Sequence, residues 1–287
     1  MIGVFDSGLG GLTILRELSD RFPHLQFAYL GDHANVPYGD RPSQQIVSLT
    51  RSGVELLFDQ GCRLVLLGCN TATAIAARDL QQNWLPASRF DQHNLLGIIA
   101  PMVEAATQTP WAVTTPQYPQ KYNTDTILVF ATSRTVSSKV YIEEIAKRCP
   151  KVKVHQHACP GLVDAIEGGA DPAELSAIVR AACDAGLAQL DGRPPERAIL
   201  GCTHYPIVEH LFAENLPPST RIMSQPSVVA DSLDYYLHRH PNYAAPIDTA
   251  SHSGKEHVRI LTTGTASHVN TVAVRIWPGL GTIERVG

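Results

Sequence analysis

Short apolar runs alternate along this chain with longer stretches in which apolar residues recur at helical spacing. This alternation is typical of β-α-β units built around parallel sheets. The pattern predicts strands near 2–6, 26–31, 63–69, 95–100, 126–132, 152–157, 197–202, 220–224 and 257–262. It predicts helices near 11–21, 43–60, 72–84, 102–107, 137–148, 172–190, 206–214, 227–239 and 266–276.

Several of the apolar runs are continuous, as in Ile127-Leu128-Val129-Phe130. Strands buried on both faces have this composition, and they occur mostly in parallel sheets covered by helices. Two pairs of strand ends are also alike at similar separations: Phe5-Asp6-Ser7 with Ala131-Thr132-Ser133, and Gly68-Cys69 with Gly201-Cys202. The sequence therefore predicts an α/β fold with two pseudo-symmetric domains, each with a mostly parallel sheet, that face each other across a cleft.

The composition is that of a folded globular protein, because 44% of the 287 residues are hydrophobic and 17% are charged. The length favours about two domains. The net charge of −4 offers no basic surface for a phosphate backbone, so we expect no nucleic-acid partner. No apolar run reaches membrane-spanning length and no signal peptide is visible. We therefore expect a cytoplasmic protein without a membrane partner, with its six widely spaced cysteines reduced.

Two cysteines are the strongest candidates for chemistry. Leu66-Leu67-Gly68-Cys69-Asn70-Thr71 and Ile199-Leu200-Gly201-Cys202-Thr203-His204 both run from an apolar strand through Gly-Cys into small polar residues. Ligands of open α/β sheets bind at the carboxyl ends of strands, so the motifs predict a thiol on either side of one pocket. Such a pair can move a proton from one face of a carbon to the other. The alternative is that both cysteines are small buried hydrophobic residues.

Both cysteines precede predicted helices, whose N-terminal dipoles favour a thiolate over a thiol. Removing the α-proton of an amino acid without an electron-sink cofactor requires strong electrostatic stabilisation and an acid on the opposite face. Asp6, at the end of the first strand, is a candidate to orient a nearby base, or it caps the turn. Gly8, Gly10 and Gly11 follow it, but their spacing makes phosphate or dinucleotide binding a weak hypothesis.

Small polar residues follow several predicted strands. The 32–39 loop is expected on the cleft side. Asn70-Thr71 and Thr203-His204, directly after the two cysteines, are candidates to hold the carboxylates of a small dicarboxylic amino acid. His204 is also a candidate to assist Cys202, although a histidine at a strand end is more often structural.

His155, His157 and Cys159 share one face of a predicted strand. Such neighbours rarely close a tetrahedral zinc site unaided, so we expect no metal. The long loops at 107–125 and 241–256 are predicted to be lids or mobile surface segments.

With these residues in view, the chain resembles the glutamate racemases of the cofactor-independent aspartate/glutamate racemase superfamily. The resemblance extends over nearly the whole chain and rests on segments that occur in the right order. They are 5–11, Pro37-Tyr38-Gly39, Gly68-Cys69-Asn70-Thr71, Thr132 and Thr135 with Ser138 and Tyr141, Cys159-Pro160 with Glu167, 201–206, and Thr262-Thr263-Gly264. The ordered set is far more specific than any one segment.

The resemblance implies racemisation of glutamate by two bases without a cofactor, with Cys69 and Cys202 as the catalytic thiols. It implies that Asp6 supports Cys69, and that Glu167 and His204 support Cys202. The residues that it implies to contact the substrate are Asp6, Ser7, Tyr38, Gly39, Asn70, Thr71, Thr203 and His204.

The implied fold has its site between two α/β domains, the second inserted into the first: residues 1–100 plus 207–287, and residues 101–206. Members of the family are commonly homodimers, and their product D-glutamate serves bacterial peptidoglycan synthesis and thereby cell shape.

Three alternatives remain at this point. The first is an aspartate racemase or another enzyme of the superfamily, which the Cys69/Cys202 pair would suit equally; the 203–206 segment favours glutamate. The second is a non-catalytic two-lobed protein that binds one enantiomer of an amino acid. The third, a pyridoxal-phosphate racemase, is disfavoured because no lysine stands at a strand end beside the motifs.

Overall fold

The computed structural model describes residues 1–122, 124–244 and 257–286. The strands are β1 (Ile2–Asp6), β2 (Phe27–Gly31), β3 (Leu64–Leu67), β4 (Asn94–Gly97), β5 (Thr126–Ala131), β6 (Lys153–Ala158), β7 (Arg197–Gly201), β8 (Arg221–Met223), β9 (Val258–Thr262) and β10 (Ile283–Arg285). The α-helices are α1 (Leu12–Arg21), α2 (Ser43–Asp59), α3 (Asn70–Asp79), α4 (Leu85–Ala87), α5 (Ile99–Thr107), α6 (Ser133–Ser138), α7 (Val140–Arg148), α8 (Leu162–Gly168), α9 (Pro172–Leu187), α10 (Glu209–Asn215), α11 (Gln225–Arg239) and α12 (Ala266–Ile276). Within these ranges no helix has both the length and the apolar character needed to cross a membrane.

The strands form two parallel sheets. One has six strands in the order β10-β9-β2-β1-β3-β4, and the other has four in the order β6-β5-β7-β8. The order β2-β1-β3-β4 of the first sheet therefore recurs as β6-β5-β7-β8 in the second, with β3 and β7 in equivalent places. The predicted α/β fold with two related halves and mostly parallel sheets is confirmed. The first half contains the six-stranded sheet and the second half contains the four-stranded sheet.

Apolar side chains alternate between the two faces of β5. Leu128 and Phe130 pack with Val179 of α9 on one face, whereas Ile127 and Val129 pack with α5 and α7 on the other. Consecutive residues of a strand point to opposite sides, so a continuous apolar run serves two cores at once. The six-stranded sheet is enclosed in the same way, by α1, α11 and α12 on one face and by α2 and α3 on the other.

Sheet membership shifts both predicted domain boundaries. Helix α5 begins at Ile99, just before the expected boundary after residue 100, and packs on the four-stranded sheet. Strand β8 lies in the segment 207–287 that was predicted for the first domain, yet it is hydrogen-bonded to β7. The chain thus leaves the second sheet only after residue 223. The division into a discontinuous domain and an inserted one otherwise stays a prediction.

Several elements differ from the sequence-based expectations, among them β4, α8 and β10. Strand β4 ends at Gly97, because the apolar residues that follow it already form α5. Helix α8 was not predicted; it has seven residues and lies between Gly161 and Gly169, which both have positive φ, so its flanks resemble a loop. Strand β10 was also not predicted, since three residues carry almost no periodicity.

The long loop after α5 is anchored to the second half of the molecule. The Arg148 guanidinium lies 4.5 Å from the Trp111 ring, and the Gln120 side chain donates to the Arg148 carbonyl at 2.8 Å. At its far end Asp125 pairs with Arg197 at 2.9 Å. These contacts hold Trp111 and Gln120 against α7 and Asp125 against β7. Of the second predicted lid, residues 245–256 lie outside the described residues.

Candidate active site

A cavity of about 80 Å³ lies where the carboxyl ends of the strands of both sheets face each other, and both Cys69 and Cys202 line it. Because β3 and β7 are equivalent strands, the two thiols come from matching positions of the two halves. The cavity is lined by Ser7, Pro37, Tyr38, Gly39, Asp40, Cys69, Asn70, Thr71, Thr132, Ser133, Cys159, Pro160, Gly161, Val163, Asp164, Cys202, Thr203 and His204.

Cys69 occupies the N-cap position of α3. Its sulfur accepts a hydrogen bond from the Ala72 N–H at 3.4 Å and lies 3.5 Å from Ser7 Oγ. Burial, and after it the charge of Asp6, raises the pKa of Cys69 to about 12 in spite of these hydrogen bonds. The N–H at the start of α3 favours the Cys69 thiolate as expected, but desolvation outweighs it, so the thiol pKa rises instead of falling.

Cys202 has a different environment, followed by a four-residue 3₁₀ turn rather than by an α-helix. Its sulfur lies 3.8 Å from His204 Nδ1, and His204 Nε2 lies 2.7 Å from Glu167 Oε1. Burial opposes the charge on the ring, but hydrogen bonds to Cys202 and Glu167 hold the pKa of His204 well above its usual value. An imidazolium–carboxylate pair thus stands behind Cys202.

Glu167 completes this pair without lining the cavity. Burial acts to raise its pKa, yet the hydrogen bond and charge of His204 and the N–H of Leu9 together lower it. The Leu9 N–H donates to Glu167 Oε1 at 3.2 Å from the turn after β1. The carboxylate of the second half is therefore held in place by backbone of the first.

Asp6 is fully buried at the end of β1, behind the residues that line the cavity. It accepts hydrogen bonds from the Gly8 N–H at 2.7 Å and from the Thr203 hydroxyl at 3.2 Å. Burial raises the pKa of Asp6 to about 6. Asp6 is thus joined by a hydrogen bond to the residue after Cys202, while its charge acts on Cys69.

The glycines after Asp6 have a packing role that the sequence did not reveal. A Cβ atom on Gly10 would lie only 2.4 Å from Thr203 Oγ1 and 2.5 Å from His204 Nδ1. A Cβ atom on Gly8 would lie 2.8 Å from Glu167 Oε1. The turn lacks side chains at these positions because the second half approaches it this closely.

Seven of the eight residues predicted to contact substrate line the cavity, the exception being Asp6. The Tyr38 hydroxyl donates its proton to Asp32 Oδ2 at 2.7 Å, so only its oxygen can still accept a hydrogen bond. Thr71 Oγ1 lies 3.0 Å from Thr132 Oγ1, so the polar lining is connected across the two halves.

Sequence reasoning did not assign a site role to several lining residues, among them Thr132, Cys159 and Asp164. Thr132 and Cys159 lie in segments that carried the family resemblance, which was the available signal. Burial raises the pKa of Cys159 to about 12, so a third thiol borders the cavity in its protonated form. Asp164 lies on α8, a helix that was not predicted because glycines flank it.

His155, His157 and Cys159 lie on β6 and directly after it. Among residues 1–122, 124–244 and 257–286, no three His, Cys, Asp or Glu side chains are grouped as metal ligands would be.

No protein-family model matches the chain. A glutamate racemase of Phenylobacterium zucineum is 46% identical over 282 residues, which cover 97% of each chain. The chain belongs to the glutamate racemases. The crystal structure of the glutamate racemase isoform RacE1 from Bacillus anthracis matches with a TM-score of 0.81 and 28% identity, over 100% of this chain and 97% of the other. Picrophilus torridus aspartate racemase shares the fold at a TM-score of 0.54 and 14% identity, over 85% of this racemase and 99% of that chain.

Proposed function

We propose that this racemase interconverts L- and D-glutamate without a cofactor, using Cys69 and Cys202 as its two bases. The observation that carries the proposal is that both sulfurs border one cavity at equivalent strand ends of the two halves. Two acid–base groups on opposite sides of a bound α-carbon are what inversion at that carbon requires.

In each direction one cysteine acts as a thiolate and the other as a thiol. The thiolate takes the α-hydrogen as a proton, so an S–H bond forms and the C–H electron pair stays on the substrate. The second thiol then gives its proton to the opposite face of the α-carbon. The two cysteines have exchanged protonation states, which prepares the site for the other enantiomer.

The developing negative charge needs fixed dipoles and donors around the substrate. Asn70 and Thr71 open α3, where backbone N–H groups favour a carboxylate. The remaining proposed contacts are Asp6, Ser7, Tyr38, Gly39, Thr203 and His204. In this set Asp6 acts from behind the lining, through Thr203.

The groups behind the thiols are proposed to assist proton transfer. His204, held charged by Glu167, places a positive charge beside Cys202. Asp6, with its pKa near 6, can gain or lose a proton in the physiological range and thereby change the field at Cys69.

The decisive experiment is circular dichroism of the purified protein with L-glutamate and, separately, D-glutamate, with no cofactor added. We expect the signal to decay to zero from either side. Tight binding of one enantiomer without any decay would instead indicate a non-catalytic binding protein and would overturn the proposal.

A second candidate substrate is aspartate, because an aspartate racemase shares the fold. The relative that is 46% identical over nearly the full length favours glutamate. Exchange of the α-hydrogen in heavy water, compared between glutamate and aspartate, separates the two. Faster exchange on aspartate would reassign the substrate.

The cellular role that we propose is the supply of D-glutamate for peptidoglycan synthesis, and with it cell shape, by a cytoplasmic homodimer. Membership of the glutamate racemases supports this role. Depletion of the protein should make growth depend on added D-glutamate, and sedimentation should give twice the mass of one chain.

A further inference from the structure

A buried pair of side-chain amides lies directly behind the cavity. Asn70 Nδ2 donates to Gln225 Oε1 at 2.7 Å, and Gln225 Nε2 donates back to Asn70 Oδ1 at 3.0 Å. The Tyr141 hydroxyl donates to the same Asn70 oxygen at 3.0 Å. Gln225 and Tyr141 are fully buried, whereas Asn70 also lines the cavity.

The three residues come from three different places in the fold. Asn70 opens α3 beside Cys69 in the first half, and Tyr141 stands on α7 in the second. Gln225 is the first residue of α11, where the chain returns from β8 to pack against the first sheet. The pair therefore joins the residue next to one thiol to both halves of the molecule.

The hydroxyl of Tyr141 decides which way the two amides point. Burial raises the pKa of Tyr141, so its hydroxyl keeps the proton that it donates to Asn70 Oδ1. Reversing both amides would preserve the reciprocal pair but would place an N–H opposite that hydroxyl. The buried hydroxyl proton would then lose its acceptor, which is unfavourable.

This orientation determines what Asn70 can offer to a ligand. Its oxygen already accepts two hydrogen bonds, and among the described residues Nδ2 donates only one of its two protons. The amide group that remains free at the cavity is thus an N–H donor, which suits a carboxylate, and not a carbonyl, which would repel one.

We propose that Gln225 is a positioning residue, which together with Tyr141 holds the Asn70 amide so that its free N–H faces a carboxylate of the bound amino acid. The inference rests on the proposed function, because it takes glutamate as the ligand. Gln225 itself does not line the cavity. It acts on substrate through Asn70 alone.

The test is Gln225→Met, which keeps the length of the side chain and removes both hydrogen bonds. We expect the KM for glutamate to rise about tenfold with kcat changed less than about threefold, because the lost contact serves the ground state and the transition state alike. Gln120→Met is the matched control, since Gln120 is also mostly buried and donates to the Arg148 carbonyl far from the cavity. It should lower the thermal midpoint and leave KM unchanged.

Combining Gln225→Met with Asn70→Ala separates positioning from a general structural role. If Gln225 acts through Asn70, Gln225→Met should change KM less than about twofold in the Asn70→Ala background. The same tenfold rise in both backgrounds would overturn the proposal, as would a wild-type KM in a folded Gln225→Met protein.

Tyr141→Phe provides a second, milder variant should Gln225→Met not fold. It keeps the amide pair but removes the group that selects its orientation, so we expect KM to rise about threefold. A wild-type KM in this variant would also overturn the proposal. If the wild-type protein itself does not racemise glutamate, it is the proposed function that fails; if it does and these variants match it, only the role of Gln225 fails.

Discussion

The two halves of the molecule present the same motif in two electrostatic settings. β3 and β7 occupy equivalent places in sheets of the same strand order, and each ends in Gly-Cys. Around Cys69 stand a hydroxyl, a helix N-terminus and the buried carboxyl of Asp6, and the thiol pKa rises to about 12. Around Cys202 stands the His204–Glu167 ion pair.

This difference shows that a repeated strand order does not impose repeated chemistry. The backbone brings the two sulfurs to one cavity, whereas residues that follow each strand, or that arrive from the other half, set the charge beside each sulfur. Glu167 is held by Leu9 and Asp6 by Thr203, so each half helps to organise the carboxyl that belongs to the other.

The largest effect is expected from replacing either thiol. Cys69→Ser and Cys202→Ser should each lower kcat for racemisation on the order of a thousandfold, because a serine hydroxyl is a far weaker acid–base group. Each variant should still exchange the α-hydrogen of one enantiomer in heavy water, and the two variants should favour opposite enantiomers. Circular dichroism and mass spectrometry of exchanged glutamate make the measurement.

The double variant Cys69→Ser with Cys202→Ser is the control for this experiment and should neither racemise nor exchange. Native-rate racemisation by the double variant would refute the assignment of both thiols.

A smaller effect should distinguish the two sides. His204→Asn removes the positive charge beside Cys202 and should lower kcat about a hundredfold. Ser7→Ala removes one neutral contact of Cys69 and should lower kcat less than about tenfold. Initial rates from each enantiomer would measure both effects.

Glu167→Gln keeps the hydrogen bond to His204 but removes the negative charge, so its loss of kcat should lie between those of His204→Asn and Ser7→Ala. Equal losses of kcat for His204→Asn and Ser7→Ala would contradict the contrast between the two sides.

The last effect concerns stability, not rate, and depends on pH. The folded pKa of Asp6, about 6, exceeds the ordinary aspartate pKa of 3.8. Below the lower value the carboxyl is protonated in both the folded and the unfolded state, so Asp6→Asn should leave the free energy of unfolding unchanged there. Between pH 3.8 and pH 6 the carboxyl ionises in the unfolded chain but keeps its proton in the folded protein, so the wild-type protein loses stability as the pH rises. Above pH 6 the loss is complete, and the variant should be more stable by about 3 kcal/mol.

Urea denaturation of the wild-type protein and Asp6→Asn between pH 4 and pH 8 gives this difference directly. If the difference in free energy of unfolding between the two proteins stays constant over that range, or becomes smaller as the pH rises, burial does not raise the pKa of Asp6.

Much of the fold could be predicted because its signals are local. The continuous apolar run at 127–130 requires a strand covered on both faces, and the structure gives β5 two cores. The matched Gly-Cys motifs located the cavity, since strand ends of parallel sheets share an edge. Helix α8 was not predicted, because the glycines on either side of it indicate a loop and seven residues give only a weak helical pattern.

The site could be predicted only as a set of residues. The family resemblance brought in Glu167, but nothing near Glu167 in the chain points to Leu9 or His204. Gln225 was not predicted at all, since a glutamine before a helix-starting proline is unremarkable until its partner Asn70 is seen. The pKa of the Cys69 thiol was predicted to fall but rises, because the burial of a side chain depends on residues that are far away in the sequence.

What the sequence by itself determined about this protein is most of its strands, their parallel arrangement and the arrival of a thiol at the end of two of them. Periodicity and turn residues act over a few positions, so they can be identified without coordinates. Tertiary structure decided which charged groups lie beside each thiol, which residues of one half hold the carboxyls of the other, and which way the Asn70 amide points. Those properties depend on desolvation and on hydrogen bonds between residues far apart in the chain, and both exist only after the two halves have packed together.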